Sequence, residues 1–559
     1  MKKVFYDAVI VGSGAGGGAC AWALVNQGLK VLILEAGPVY NPDSDYCLES
    51  TEWETKRFPH KEPGSLPYSF GPMQELSDEF EHIRSWNHSF GRYNPSNKRM
   101  AWKYHHVQGV GGSTLHFTGE AHRLCPQSMH MQSRYGVSAD WPITYQELEP
   151  FYSNAEKIVG VAGPNSDKLR PRSEPYPLPQ HPSSYTSQKL AIGFRKLGLN
   201  WTANSLAILS KPYDGRPGCN YCMNCNRGCP RKDKGSVDVT FLHKVRNSKR
   251  CEIRTESRVI NIQAGPNDRV TAVQYSDRAG NVHEVFGQAF IIAAGAIHTP
   301  RLLLLSKSKF APAGLANDSE QVGKNFMETI GWTSSGIYPS ILGSQRGLPS
   351  DGICWDYNLP DSIPNVIGGC RFAAGTAEAD LLGPISYATR VVSGWGKAHK
   401  QAMRKIYGRV LCVNAVGESL SNPKSFIELD AQKKDSLGLS TAKINSYLDE
   451  NEIRRIEFMA GKSREILDAC GVNELFEEFG TYDIFSSTHV FGTCRMGKNW
   501  QSSVVDPFCR VHRWKNLFIV DASVFPSTGG GEAPSLTIEA LALRTARYIH
   551  DLANRKELS

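Results

Sequence analysis

A glycine-rich turn between an apolar strand and a helix lies at the start of the chain and restricts its fold. Residues 5–11 are mostly apolar and predict a buried strand, and Gly12, Gly14 and Gly17 follow in a G-x-G-x-x-G pattern. The first glycine permits a tight turn, the second lets the backbone approach a pyrophosphate, and the third allows the helix to pack closely on the strand. This order of strand, glycines and helix predicts an α/β dinucleotide-binding unit.

The residues after the glycines complete this unit. Residues 19–29 have helical spacing with Gly28 as the stop, and residues 31–35 predict a second strand that ends at Glu35. The first amides of the helix, Ala15 among them, and its positive dipole end would face the phosphates. Glu35 would accept hydrogen bonds from the ribose hydroxyls. A glycine-rich turn without a ligand does not explain an acid at this place.

Composition limits the class of protein. At 559 residues the chain is too long for one simple core, and its 40% hydrophobic and 21% charged residues are typical of a globular protein with two domains. It has no run of about 18 apolar residues, so we expect no transmembrane helix. The net charge of +8 is small and scattered, which disfavours nucleic-acid binding. Only four residues precede the first strand, so we expect a cytoplasmic protein without a signal peptide, unless a partner that carries the signal exports it.

Further strands place the nucleotide fold at several points of the chain. Strands are predicted at residues 250–262, 270–275, 284–292 and 517–520, and helices at residues 299–306 and 537–552. Because both chain ends contribute, we expect a discontinuous nucleotide domain with the active site at the domain boundary. The predicted nucleotide domain comprises residues 1–125, 215–330 and 485–559. The second domain and its lid loops comprise residues 126–214 and 331–484.

Five further blocks, in order along the chain, resemble the glucose-methanol-choline (GMC) family of FAD-dependent oxidoreductases. They lie at residues 109–117, 294–301, 321–325, 489–497 and 521–526. The resemblance implies an FAD-binding Rossmann-like domain and an α+β substrate-binding domain with an antiparallel sheet. It also implies oxidation of an alcohol by hydride transfer to the flavin.

The same resemblance implies the FAD contacts. Gly111, Gly112 and Ser113 resemble the loop that runs along the diphosphate and the flavin. Other positions that match family contacts are Val259, Ala294, Asp521, Ala522, Pro534 and Thr537. Near Pro534 a helix N-terminus would stabilise the anionic reduced flavin through its dipole. His116 matches a position at which some sugar-oxidising members bind FAD covalently through a histidine. In other members the residue only packs under the flavin, and both alternatives stay open for His116.

His489 matches the histidine that the family places opposite the flavin N5. Imidazole suits the removal of an alcohol proton because its ordinary pKa lies close to working pH. The family's second polar residue is replaced by Ala533, which has no hydrogen-bonding side chain. We therefore expect the adjacent Glu532 to orient His489 or to bind a substrate hydroxyl or amine; the alternative is that Glu532 caps the following helix.

Four of the fourteen cysteines form a C-x2-C-x2-C-x3-C-P run, at Cys219, Cys222, Cys225 and Cys229. This spacing is that of ferredoxin clusters and predicts a [3Fe-4S] or [4Fe-4S] site. Cys219, Cys225 and Cys229 also resemble the cluster ligands of iron–sulfur sugar dehydrogenases in the family. A zinc site and a loop without metal, with or without a disulfide, are the alternatives. With a cluster, a protein or quinone would accept the electrons; without one, dioxygen would.

These observations predict an FAD-dependent dehydrogenase that oxidises a sugar-like or amino-sugar alcohol with His489 as the base. The substrate preference depends on the resemblance of residues 111–117 to sugar-oxidising members. An oxygen-dependent alcohol oxidase, a redox-silent hydroxynitrile lyase and a non-catalytic flavin-binding subunit are the other candidates.

Overall fold

The structure is a computed structural model that describes residues 5–46, 48, 51, 53–55 and 68–558. Its N-terminal strand, Phe5–Val11, has the predicted bounds and lies inside a parallel sheet. Strands from distant parts of the chain pair beside it. The order across the sheet is Cys251–Arg254, Val31–Leu34, Phe5–Val11, Val282–Ile292 and Leu517–Ile519. The predicted α/β class is confirmed.

The first helix, Ala15–Asn26, lies directly on the first strand because glycine lines its inner face. An added Cβ on Gly17 would lie 2.0 Å from the carbonyl oxygen of Gly12, so no larger residue fits there. Gly12 has a φ of +95°, in the left-handed region that glycine favours. The predicted roles of both glycines in the turn and in helix packing are confirmed.

An antiparallel meander extends the parallel sheet on one side. It consists of Arg258–Ala264, Val270–Ser276 and the first half of Val282–Ile292. The prediction of one strand over residues 250–262 is wrong, since residues 255–257 form a turn in which Glu256 has a φ of +49°. The strand before this turn, Cys251–Arg254, and the strand after it, Arg258–Ala264, lie at opposite edges of the sheet. Because three residues span only about 10 Å, the meander must fold back across the sheet.

The helix Gly295–Leu305 begins earlier than predicted and contains Pro300 in its interior. Proline lacks the amide that would donate to the carbonyl group of Ala296, four residues earlier. The hydroxyl of Thr493 donates to this carbonyl oxygen at 2.7 Å. A residue of the His489 block thus satisfies the acceptor that Pro300 leaves open.

A second, largely antiparallel sheet forms the other half of the protein, as the family resemblance implied. Its strands, in order, are Gly91–Arg92, Trp86–Asn87, Glu474–Gly480, Ile330–Ile337, Val410–Gly417, Cys370–Ala374, Gly352–Cys354 and Thr202–Ala203. The helix Glu450–Cys470 packs on this sheet. It begins in a reciprocal capping box between Asp449 and Glu452, which stabilises helix starts by about 1 kcal/mol.

The remaining helices and strands include Ser535–Asn554, a largely buried helix that packs on the first helix, and several short elements. The α-helices are Pro42–Asp45, Met131–Tyr135, Tyr145–Val159, Tyr185–Lys196, Phe241–Val245, Pro384–Arg390, Gly396–Ile406 and Ser535–Asn554. The other strands are Tyr68–Phe70, Met100–Tyr104, Ala162–Gly163, Leu178–Pro179, Met327–Glu328, Phe426–Lys434, Ser440–Asn445, Ile484–Ser487 and Val490–Phe491. Within the described ranges, no helix has both the length and the apolar character required to cross a bilayer.

Candidate active site

A cavity of about 830 Å³ is lined by residues of both sheets. This volume lies within the range of small-molecule and cofactor sites. The predicted cofactor residues that line it are Gly12, Gly14, Ala15, Glu35, Gly112, Ser113, His116, Val259, Ala294, Asp521, Ala522 and Pro534. The fold therefore brings together residues that are several hundred positions apart in the chain.

Two glycine loops meet at the start of the first helix. Gly14 caps this helix without a side-chain hydrogen bond, so the helix N-terminus faces the cavity through backbone atoms. A Cβ on Gly112 would lie 2.8 Å from the Cα of Gly14. A Cβ on Gly14 itself would approach only Gly112, at 3.9 Å, and would otherwise occupy open space. This bare helix end is a suitable cradle for a pyrophosphate.

Glu35 lies at the edge of the cavity, and protein groups hold its carboxylate. It accepts hydrogen bonds from the Ser13 amide at 3.0 Å, the Ser13 hydroxyl at 2.6 Å and the Gly37 amide at 2.9 Å. Burial raises its pKa, and these hydrogen bonds oppose that shift. Ser13 in turn accepts a hydrogen bond from the amide of Gly111 at 3.2 Å, which ties the second glycine loop to the first.

Asp521, which also lines the cavity, anchors the backbone at the start of the helix Gly295–Leu305. Its carboxylate accepts from the amide of Gly295 at 2.9 Å, the hydroxyl of Thr299 at 2.6 Å and the amide of Ser523 at 2.9 Å. It thereby satisfies an amide in the first turn of the helix Gly295–Leu305, where no helical partner exists. This arrangement fixes Ala294 in the cavity wall.

Three predicted cofactor residues do not line the cavity. Gly17 is buried between helix and strand, and Gly111 supports the loop from behind. Thr537 is turned away, since its hydroxyl is hydrogen-bonded to that of Tyr152 at 2.8 Å. The start of the helix Ser535–Asn554 still faces the cavity through Pro534 and Ser535, as the predicted dipole contact requires.

His489 lines the cavity at the end of a short connection between two strands. Its carbonyl oxygen accepts hydrogen bonds from the amide of Thr329 at 2.9 Å and the hydroxyl of Ser487 at 2.8 Å, which fixes the backbone. Burial lowers the pKa of the imidazole to about 4; Glu120 opposes this shift and Arg371 adds to it. His489 is therefore neutral above pH 4 and able to take up a proton.

Glu120 and Arg371 were not predicted. They form an ion pair of 2.5 Å in the cavity wall, and the Arg371 Nε also donates to the carbonyl oxygen of Gly531 at 3.0 Å. A sequence signal existed only for Glu120, which follows the block at residues 109–117. Arg371 lies on a strand of the antiparallel sheet, where no motif marks it.

A hydrogen-bond chain connects this ion pair to Ala533. The amide of Asn204 donates to Glu120 at 3.0 Å, and the side-chain oxygen of Asn204 is 2.8 Å from His122 Nε2. The other ring nitrogen of His122 accepts from the amide of Ala533 at 3.0 Å. Burial lowers the pKa of His122 to about 3, so the ring is neutral and donates through Nε2. The backbone amide of Ala533 thus takes part in this hydrogen-bond chain, although its side chain forms no hydrogen bonds.

Glu532 lies behind the cavity wall. Its carboxylate accepts from Arg170 at 2.6 Å, from the amide of Asn358 at 3.1 Å and from the backbone amide of Cys125 at 3.2 Å. It is 4% exposed and is not among the residues that line the cavity. The helix Ser535–Asn554 has no side-chain cap, so Glu532 does not cap it either. The geometry favours a buried structural ion pair.

The cysteine run does not form a metal site in the structure. Among the described residues, no group of three or more His, Cys, Asp or Glu side chains is arranged to hold a metal, so the iron–sulfur and zinc predictions for Cys219, Cys222, Cys225 and Cys229 are not supported. The described cysteines also form no disulfide.

Local contacts hold the cysteine loop against the rest of the protein. The ammonium of Lys234 donates to the carbonyl oxygens of Cys225, Leu115 and Phe117 at 2.7 to 3.0 Å, which draws the loop onto the protein. The Cys229 thiol donates to Asp233 at 3.2 Å, and burial, with Asp233, raises its pKa to about 11. The loop also contributes Asn226 and Arg227 to the cavity wall.

This fold and this cavity define a dinucleotide-dependent oxidoreductase. Comparison with known proteins identifies the family. Residues 177–329 and 421–542 match the N- and C-terminal regions of GMC oxidoreductases, and residues 10–40 match an NAD(P)-binding Rossmann-like domain. The chain belongs to the GMC oxidoreductase family and is an FAD-dependent oxidoreductase that acts on CH–OH groups.

Similarity extends over the whole chain. The fructose dehydrogenase large subunit of Gluconobacter japonicus is 30% identical over 97% of both chains. The 2-methyl-1,2-propanediol dehydrogenase of Mycolicibacterium austroafricanum is 29% identical over 97% of this chain and 95% of the relative. The solved structure of pyridoxine 4-oxidase from Mesorbium loti has a TM-score of 0.63 at 20% identity, covering 98% of this chain and 99% of that one, and shares the fold.

The residues of the cavity fit FAD. The bare helix end at Gly14 suits the diphosphate, and the carboxylate of Glu35 at the cavity edge suits a ribose. The wall from Ser113 and His116 to Pro534 would hold the flavin portion near His489. When bound, FAD supplies an acceptor for the hydride of the alcohol carbon.

Proposed function

We propose that the protein oxidises a primary or secondary alcohol of a sugar-like or amino-sugar substrate, with His489 as the base. The observation that carries this proposal is a neutral imidazole in the wall of the cavity that also contains the FAD cradle. Loss of a hydride from the carbon leaves a carbonyl only if the hydroxyl proton is removed as well. His489 is suited to accept that proton.

The wall around His489 supports a polyhydroxylated substrate. Arg371, Asn414 and Thr333 of the antiparallel sheet line the cavity together with Tyr93, and all four carry hydrogen-bonding groups. Such groups fix the orientation of a small molecule in a cavity that is otherwise mostly apolar. Each of the four already has a protein partner: Arg371 pairs with Glu120, Asn414 donates to Thr333 at 3.0 Å, and Tyr93 donates to Glu477. A substrate with several hydroxyls can form additional hydrogen bonds with this polar wall, whereas a simple alkanol offers only one hydroxyl.

We propose a protein or quinone as the electron acceptor, which makes the enzyme a dehydrogenase. The cysteine loop, whose described side chains form no metal site, does not support this acceptor, so the proposal depends on the two sequence relatives described above. Both are dehydrogenases, and one is the large subunit of its enzyme. This supports an acceptor other than dioxygen and an assembly with further subunits. Turnover with a dye acceptor under nitrogen, without hydrogen peroxide in air, is the expected result. Stoichiometric peroxide would show an oxidase instead.

Anaerobic mixing of the FAD-loaded protein with sugars, amino sugars and polyols tests the reaction. We expect bleaching of the flavin absorbance, which a redox-silent lyase would not show. His489→Ala should retain FAD and lose roughly 10²- to 10⁴-fold in turnover. His512→Ala is the matched control, because His512 lies outside the cavity and contacts Ser503 at 2.8 Å. Full turnover of His489→Ala would refute the base assignment.

A further inference from the structure

Glu378 is the carboxylate of the cavity for which the structure shows no partner. It lies in a turn between the strand Cys370–Ala374 and the helix Pro384–Arg390, and its side chain is exposed to the cavity. Within the described part of the chain it makes no hydrogen bond and no ion pair. The other carboxylates of the wall behave differently: Glu35 and Asp521 accept several hydrogen bonds each.

The cations on the same wall are already paired. Arg371 binds Glu120 at 2.5 Å, and Arg227 binds Asp380 at 2.6 Å. Arg390 donates to Glu477 at 2.9 Å. Lys103 also lines the cavity and has an interaction of its own. Among the described residues Glu378 thus has no ion-pair partner, and the cation that acts on its pKa, Arg371, is already paired with Glu120.

Glu378 and His489 line the same cavity. The charges of Glu120 and Arg371 act on the pKa of both residues. The carboxyl of Glu378 is open to the cavity but surrounded by its walls. This desolvation, with a smaller contribution from Glu120, raises the pKa of Glu378 to about 7, while Arg371 opposes the shift. A cationic ligand would stabilise the ionised form and lower this pKa again.

We propose that Glu378 binds the ammonium group of an amino-sugar or amino-alcohol substrate whose hydroxyl carbon is oxidised beside His489. This inference rests on the proposed oxidation and specifies its substrate class. It transfers to Glu378 the amine-binding role that the sequence suggested for Glu532, whose carboxylate is taken up by Arg170. A neutral sugar would leave the charge of Glu378 unpaired.

Substitution of Glu378 by glutamine and by aspartate tests the proposal. Glutamine keeps the size and the hydrogen-bonding oxygen but removes the charge, whereas aspartate keeps the charge. The probes are matched pairs: D-glucosamine against D-glucose, and 3-amino-1,2-propanediol against glycerol. Because a charge-assisted hydrogen bond is at stake, we expect Glu378→Gln to raise KM for the amino compounds by roughly 10- to 100-fold. KM for the neutral partners should change less than about threefold, and Glu378→Asp should restore most of the amine preference.

The pH dependence gives a second readout. Binding of the amino compounds should weaken as the pH falls below about 7, where Glu378 becomes protonated, and Glu378→Gln should abolish this dependence. Wild-type protein that binds no amino compound more tightly than its neutral partner would overturn the proposal, as would an unchanged preference in Glu378→Gln.

The proposed function can fail separately. If no alcohol bleaches the flavin, the oxidation is wrong, and amine binding is then measured by the shift of the FAD absorbance spectrum on addition of each probe. A shift that amino compounds cause in the wild type but not in Glu378→Gln supports the role of Glu378. Equal shifts in both proteins refute it.

Discussion

The buried ion pair between Arg170 and Glu532 allows a structural role to be separated from a catalytic one. In Glu532→Gln the side chain keeps its shape and can still accept from Cys125 and Asn358, but the guanidinium of Arg170 loses its anion at 2.6 Å. Removing one partner of a buried pair costs about 3 to 5 kcal/mol. Asp167 at 3.6 Å and the ring of Trp355 at 3.9 Å still stabilise the cation, which favours the lower end, about 3 kcal/mol.

This loss converts into a measurable shift of the melting temperature. Unfolding entropy amounts to roughly 2.1 cal/mol/K per residue, so for a chain of this size a loss of about 3 kcal/mol lowers Tm by about 2 to 3 °C. Thermal unfolding followed by circular dichroism, at equal FAD content, measures it. A paired replacement, Arg170→Met with Glu532→Met, should lose less stability than the two single changes added together.

The single variant Glu532→Gln can also refute the structural role of this ion pair. If Glu532→Gln keeps the wild-type Tm and FAD content but loses more than about 100-fold in turnover, Glu532 acts on the reaction. The structural interpretation of its contact with Arg170 would then be wrong.

Three further predictions concern the cofactor cradle, the base and the cysteine loop. Gly14→Ala should fold, because its Cβ would meet only Gly112 at 3.9 Å, but FAD titration should show binding at least about tenfold weaker, since the methyl group lies where the pyrophosphate approaches. Gly17→Ala is the contrasting variant: its Cβ would lie 2.0 Å from the Gly12 carbonyl oxygen, so gel filtration should show that it does not accumulate as folded protein. With a neutral alcohol, kcat/KM should persist down to about pH 4 and fall below it as His489 becomes protonated, so a fall centred near pH 6.5 would contradict the lowered pKa. Cys222→Ser, at the exposed position of the loop, should leave the flavin spectrum and turnover unchanged, and a loss of visible absorbance or of bound iron in this variant would revive the metal site.

Local sequence patterns predicted the nucleotide half of the molecule well. The strand Phe5–Val11, the packing role of Gly17 and the position of Ala294 in the cavity wall follow from residues that are neighbours in the chain. The turn at Glu256 was missed because residues 255–257 contain neither the glycine nor the proline that most clearly marks a turn in a sequence.

The opposite wall of the cavity could not be predicted in this way. Arg371 and its partner Glu120 are 251 positions apart, and Arg170 lies 362 positions from Glu532. Pairings at such distances depend on how the two sheets meet. The cysteine run shows the converse difficulty, since the same spacing serves a cluster or an unmetallated loop, and the sequence alone does not distinguish them.

The replacement of a polar side chain by Ala533 is consistent with a site that uses one base. His122, the other imidazole near this residue, cannot share that role, because one ring nitrogen accepts from the Ala533 amide and the other donates to Asn204. Its pKa of about 3 keeps it neutral, so it acts as a fixed link to the Glu120–Arg371 pair. Glu120 and Arg371 shift the pKa of His489 in opposite directions, so burial determines the protonation state of this imidazole. Ala533 lines the cavity with a small side chain, and the space that a larger polar residue would fill is available to the substrate.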